Sequence, residues 1–284
     1  MKLFICLATV LLLTNSGGSR QIPRAEAESL IRTYAVMVNV DDMQKARSFY
    51  CNKLGFQPEM DRYNPNYAIL KSADGESLIL KRVSKLRMAN RTDTQLSFTL
   101  QVNDLNRSIK RMEALGVELA EPQPRKEAVG NAIFIKDPFG RLISLMHQTI
   151  VKTESFREPK IYNYGFLVPD MQIARDFYSN KLGFVVRSEK YLPLDLPLGH
   201  KDKSFAFMLH YRPGVMPVKD DHDSAFNTLI LQTTDLSAVT EELKRKGVKI
   251  LNAGPTTERT TALLIEDPFG NVFLIQEIKS QNVP

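Results

Sequence analysis

Tryptophan is absent from the 284-residue chain, cysteine occurs twice and histidine four times. Two cysteines exclude a disulfide framework, and four histidines leave little imidazole for metal sites. The 38 basic and 32 acidic side chains, net +6, are scattered with no run of one sign longer than three. A nucleic-acid binder concentrates its Lys and Arg on one face, so no nucleic-acid partner is expected. No apolar stretch reaches the roughly 20 residues needed to cross a bilayer as a helix, so no membrane span is expected. With 43% hydrophobic and 25% charged residues, and few Gly and Pro, the composition is globular. Disorder, collagen and coiled coil are excluded.

The first sixteen residues carry one charge, Lys2, ahead of the apolar stretch Leu3–Leu13 and the small residues Thr14 and Ser16. This reads as a secretory signal peptide over 1–16 and places the protein in a secreted or periplasmic compartment. Cleavage after Ser16 would remove Cys6 and leave Cys51 as the single cysteine, a small packing residue in a helix.

Self-similarity governs the remainder. The segment VNVDDMQKARSFYCNKLGF ending at Phe56 returns as FLVPDMQIARDFYSNKLGF ending at Phe184. LQVNDLNRSIKRMEALGVEL returns as LQTTDLSAVTEELKRKGVKI, and IFIKDPFGRLISL as LLIEDPFGNVFLI. Three blocks in one order at a nearly constant offset define two homologous domains, 33–150 and 160–279, joined by a polar linker at 151–159.

Each domain repeats a simpler unit. In the first block Asp41 or Asp42 caps a helix whose apolar positions Met43, Ala46, Phe49, Tyr50 and Leu54 fall at helical spacing, and Gly55 closes it. The twin helix runs from Asp170 to Gly183. In the middle block Leu105, Ile109, Met112 and Leu115 form the predicted buried stripe, matched by Leu236, Val239 and Leu243. Strands are predicted at Tyr67–Leu70, Ser77–Arg82, Ala132–Lys136 and Leu142–His147. Ala73-Asp74-Gly75 marks a hairpin, and Asp-Pro-Phe-Gly has the residue preferences of a type I turn. The chain is therefore α+β, four βαβββ units. The long insertion Leu192–Ser204 reads either as a functional loop or as a surface excursion.

The "FY..KLGF" elements at 49–56 and 177–184, the Gly-Val after each middle helix and the two "DPFG" turns resemble the vicinal oxygen chelate superfamily. That superfamily includes glyoxalase I, extradiol dioxygenases, fosfomycin-resistance enzymes and metal-free bleomycin-resistance proteins. The resemblance covers 33–279 and implies two tandem glyoxalase-like domains, each a cup of curled sheet with a ligand in its mouth. In the enzymes of the family, side chains on the cup strands hold a divalent metal. Counting from the repeated blocks, those positions fall on Ala35, Ser97 and Ser144 in the first domain and on Asn163, Thr228 and Leu274 in the second. None is His, Asp or Glu, so no metal and no cofactor are expected.

Among the histidines, alternation turns His147 away from the Ser144 face, and His210 shares a strand face with Ala206 and Met208. His200 and His222 fall in loops and read as solvated. Met208 and Met216 read as core filling. The candidate ligand-binding residues are Ser97, Ser144, Asn163, Thr228 and His210. The function this implies is capture of a small organic ligand without a metal. The alternatives are a metal-dependent lyase, isomerase or dioxygenase of the family, and a pairing role in which dimerisation, common in the family, matters most.

Overall fold

The computed structural model describes residues 31–59, 65–86, 96–127, 129–149, 155–201, 205–215, 227–257 and 260–278. The signal-like segment, Met216 and His222 lie outside the described residues. Four units follow one another. The first has β1 (Arg32–Val40), α1 (Met43–Arg47), β2 (Gln57–Pro58), β3 (Tyr67–Lys71) and β4 (Ser77–Arg82). The second has β5 (Leu96–Gln101), α2 (Leu105–Ala114), β6 (Arg125–Glu127), β7 (Gly130–Lys136) and β8 (Leu142–Gln148). The third has β9 (Lys160–Val168), α3 (Met171–Arg175), β10 (Val185–Val186), β11 (Asp195–Gly199) and β12 (Phe205–Tyr211). The fourth has β13 (Asn227–Thr233), α4 (Leu236–Arg245), β14 (Lys249–Thr257), β15 (Thr260–Glu266) and β16 (Val272–Glu277).

The helices start where the sequence says. Asp42, Asp104, Asp170 and Asp235 sit at the N-caps in extended conformation, and each carboxylate accepts a backbone N–H three residues on. The two "FY" helices then widen into π-helical turns, Ser48–Lys53 and Asp176–Lys181. Those turns bury Phe49 with Tyr50, and Phe177 with Tyr178. In α2 the buried stripe is Leu105, Ser108 and Met112, while Leu115 is 39% exposed, a correction to the predicted stripe. The cause is the helix end: Leu115 is already the C-cap, beyond the regular turns that face the core.

The Leu192–Ser204 insertion is also corrected. Its middle is β11, which pairs with both β10 and β12 and so takes the place that β3 holds in the first unit. Leu196 and Leu198 are fully buried there. Two prolines within LPLDLPLG obscured a strand whose neighbours supply the order.

The units assemble crosswise. One eight-stranded sheet runs β14-β15-β16-β13-β1-β4-β3-β2, the other β10-β11-β12-β9-β5-β8-β7-β6. The first unit therefore joins the fourth through antiparallel β1 and β13, and the second joins the third through β5 and β9. One face of both sheets, with the helices, feeds a single core that includes Val36, Leu80, Phe98, Leu145, Phe166 and Phe273. Consecutive units meet through that core: Tyr50 donates to Asp137 at 2.9 Å, and Tyr178 to Asp267. Between the sheets Tyr164 donates to Glu76 at 3.2 Å, and the Ala73 N–H to the Pro159 carbonyl at 2.8 Å. Phe156 and Glu158 are held by Asn103.

Candidate functional site

The opposite face of each sheet is the cup. Crosswise assembly regroups the six counted positions: Ala35, Thr228 and Leu274 share one cup, and Ser97, Ser144 and Asn163 the other. Grouping them by sequence domain is corrected, because each cup draws one unit from each repeat.

A matched row crosses both floors. In the first cup it reads Ala35, Ile230, Leu274 and Leu264, each the cross-strand partner of the next. With Met37 and Ala262 these form a separate apolar cluster, edged by Tyr34, Tyr67 and Ile79. Thr228 stands opposite Met37 and is 3% exposed. In the second cup the same row reads Asn163, Thr99, Ser144 and Phe134. One floor is an apolar surface, the other a band of neutral hydroxyl and amide groups.

The polar row is sealed from water: Ser144 is 5%, Asn163 8% and Thr99 9% exposed. Asn163 is special within it, because its buried Oδ1 has no hydrogen-bond partner among the described residues. An orphaned buried acceptor costs about 1–3 kcal/mol, so the position is poor for stability and well placed to receive a donor. A β-bulge sets its direction: the pairing slips between Thr99 and Leu100, and Tyr162 is the extra residue. Tyr162 shares a hydrogen bond with Gln148, and its phenol is pushed up by burial. Gln148 in turn accepts from Gln101 at 3.0 Å. On the far side the Arg125 guanidinium lies 3.9 Å from the centroid of Phe134 and pairs with Glu121 and Glu127.

Ser97 stands two pairs along the strand, opposite Gly165. Gly165 occupies the place that Met37 fills in the apolar cup, so the polar cup has extra room there. His210 pairs across β11 with Asp195, its Nδ1 2.7 Å from the carboxylate, on the strand face opposite the buried Phe207 and Leu209. It stands beside Leu167, four residues from Asn163, or about 13 Å along the strand, so it does not join the polar row. His147 points away from the cup, its Nδ1 3.2 Å from the Val102 carbonyl. His200 is corrected: it packs on Phe184 at 5.4 Å, and its Nε2 accepts from the Thr33 N–H at 3.4 Å. Met208 is half-buried on the cup side of β12. Cys51 is half-buried and its thiol is pushed up by burial, the opposite of an activated nucleophile.

Thr99 is the site residue that sequence counting missed, and Asp195 is the missed partner of His210, outside the row. Thr99 was visible in the alternation Ser97, Thr99, Gln101 against Phe98 and Leu100. Asp195 needed the pairing of β11 with β12. Among the described residues no group of three or more His, Cys, Asp or Glu side chains could hold a metal ion. Among them, too, no helix is long and apolar enough to cross a membrane.

Residues 33–145 and 160–275 match the sequence profile of the glyoxalase, bleomycin resistance protein and dioxygenase superfamily. The chain belongs to that superfamily, and its fold is two tandem domains of that class. Among solved structures it is similar to glyoxalase I from Zea mays, with TM-score 0.68 and 21% identity over 87% of this chain and 92% of that one. A mutant form of the maize protein matches at TM-score 0.69 and 20% identity, over 87% of this chain and 92% of that one. A putative dioxygenase from Bacillus subtilis matches at TM-score 0.62 and 10% identity, over 88% of this chain and 86% of that one. At these identities the likeness is one of fold. A comparison with curated proteins finds no match.

Proposed function

We propose that the protein binds a small organic ligand in the polar cup built by its second and third units, without a metal. The observation that carries this is Asn163, nine-tenths buried on a cup floor with an unpaired acceptor. A ligand that presents an N–H or O–H group to Oδ1, with Thr99 and Ser144 beside it, would relieve that cost. Concave sites with a few convergent polar groups are the usual design for small-molecule recognition.

The cup residues do not fit a divalent ion. Ala35, Ile230 and Leu274 bring no lone pair, and Asn163, Thr99 and Ser144 bring only neutral oxygens, with no carboxylate or imidazole in the row. A glyoxalase I activity of the kind named for the maize protein would need a donor set that this row lacks. The leader-like first sixteen residues support export as the setting in which the ligand is met.

The test is a fragment screen of the dialysed protein by thermal shift, run on wild type and on Asn163→Leu, with metal content measured on the same sample. Stabilisation by compounds carrying donor groups in the wild type, lost in the variant and obtained with less than about a tenth of an equivalent of metal, supports the reading. Near one equivalent of Zn, Fe, Mn or Ni, or hits unaffected by Asn163→Leu, overturns it.

A further inference from the structure

On the helical side of the first repeat, away from both cups, lies a cleft of about 560 Å³. Lys45, Ser48 and Lys53 line one wall, Gly116 and Glu118 another, and Lys136, just before the Asp-Pro-Phe-Gly turn, a third. Lys45 and Lys53 are eight residues apart, more than two turns of an α-helix. The π turn at Ser48–Lys53 takes up the excess, and both side chains reach the same cleft.

Charge in the cleft is unbalanced. Lys136 is neutralised by Glu118, and the Asp137 carboxylate is turned inward to Arg141 and Tyr50. Lys45 lies 5.4 Å from the centroid of Phe139 and, like Lys53, has no carboxylate partner among the described residues. Two ammonium groups therefore face the space uncompensated.

The second repeat supplies an internal comparison on the same scaffold. Ile173 replaces Lys45, Asp176 replaces Ser48, and the ion pair is reversed as Lys249 with Glu266 at 2.9 Å. Lys246 reaches across to donate to the Lys181 carbonyl at 3.3 Å. Lys181 keeps the place of Lys53, so what sets the first repeat apart is the added Lys45 and a Ser48 hydroxyl where the second has a carboxylate.

We propose that this cleft binds a phosphorylated small molecule. Lysine ammonium groups act as point charges toward phosphate, the Ser48 hydroxyl can donate to the same group, and the volume is that of an organic ligand site. The site is independent of the polar cup and of its ligand.

The probe is inorganic pyrophosphate, titrated into the full chain by calorimetry and by amide NMR, with citrate and a poly-glutamate peptide as competitors. Saturable shifts across Lys45 to Lys53 and Gly116 to Glu118, weakening as salt rises, are expected. Lys45→Gln combined with Lys53→Gln should weaken binding by about tenfold or more. Ile173→Lys in the second repeat should leave it unchanged. Lys45 is exposed and Lys53 half-buried, and an unchanged melting temperature confirms the fold of the double variant. Shifts confined to other regions, affinity unaffected by the double variant, or tighter binding of citrate or of the acidic peptide than of pyrophosphate overturns the proposal.

Discussion

Asp267→Asn should abolish a pH dependence of stability that the wild type carries in its core. The two Asp-Pro-Phe-Gly turns bury the same carboxylate in different company. Asp137 has the Arg141 guanidinium at 2.7 Å, whereas Asp267 has the Asn271 amide and the Tyr178 hydroxyl. With no cation beside it among the described residues, burial raises Asp267 from 3.8 to about 6, and its hydrogen bonds from Asn271, Tyr178 and Phe269 offset only part of the desolvation. The folded state thus holds a proton that the unfolded state releases between about pH 4 and pH 6. Stability contributed by this group is full below that window and is lost as pH rises through about 6. A shift of about two pKa units corresponds to about 3 kcal/mol in total, of which about 2 kcal/mol separates pH 4.5 from pH 7.5. Urea unfolding of wild type and Asp267→Asn at those two pH values measures it. Comparing the two proteins removes other titrations, such as that of Glu76, which burial also raises. The wild type should lose about 2 kcal/mol more than the variant between the two conditions. An equal pH slope in both proteins refutes the reasoning.

Other outcomes follow from the same geometry. Arg141→Met removes the guanidinium that pairs with Asp137 in a fully buried site, leaving the carboxylate only the Tyr50 hydroxyl and backbone N–H donors, and should cost about 3–5 kcal/mol at neutral pH by chemical denaturation. Asn163→Leu should stabilise the free protein by about 1–2 kcal/mol, since it removes an orphaned acceptor, while ligand-induced stabilisation disappears. Gly130→Ala puts a Cβ 2.0 Å from the His147 carbonyl oxygen across β7 and β8. Backbone must move there, and a loss of about 3 kcal/mol is expected in thermal or urea melts.

Most of the element order could be read from local signals, because caps, turns and periodicity act over a few residues. Asp42 and Asp104 start their helices as the spacing predicts, and Ser77–Arg82 is a strand with those bounds. The π turns were hidden, since an i→i+5 bond leaves almost the same apolar spacing as an α-helix. Which units share a sheet was hidden more deeply. Both pairings bury the same alternating faces, and the choice lies in edges that only the assembled chain brings together. The site inherits that ambiguity. Ser144 and Asn163 are separate positions of two domains in the sequence, yet they flank Thr99 on one floor. Ser97 lies on the correct strand, and the bulge at Tyr162 decides which of its neighbours lies level with Asn163.

The crosswise pairing of units makes each sheet a joint product of the two ends of the chain. β1 and β13, nearly 200 residues apart, must meet before the first cup exists, so closure of a long loop precedes its reward and folding should be slow for the size. It also means that an isolated repeat would own two half-cups and no whole one. Cut at the linker, the two fragments would have to find one another to recover a hydrophobic floor and a polar floor. A single repeat expressed alone would complete its sheets only against a second copy of itself, and the covalent chain stands in for that association. Fusion of two repeats is also what permits their inequality: two identical copies would carry one type of floor twice, whereas a single chain can keep one cup apolar and leave an unpaired amide in the other.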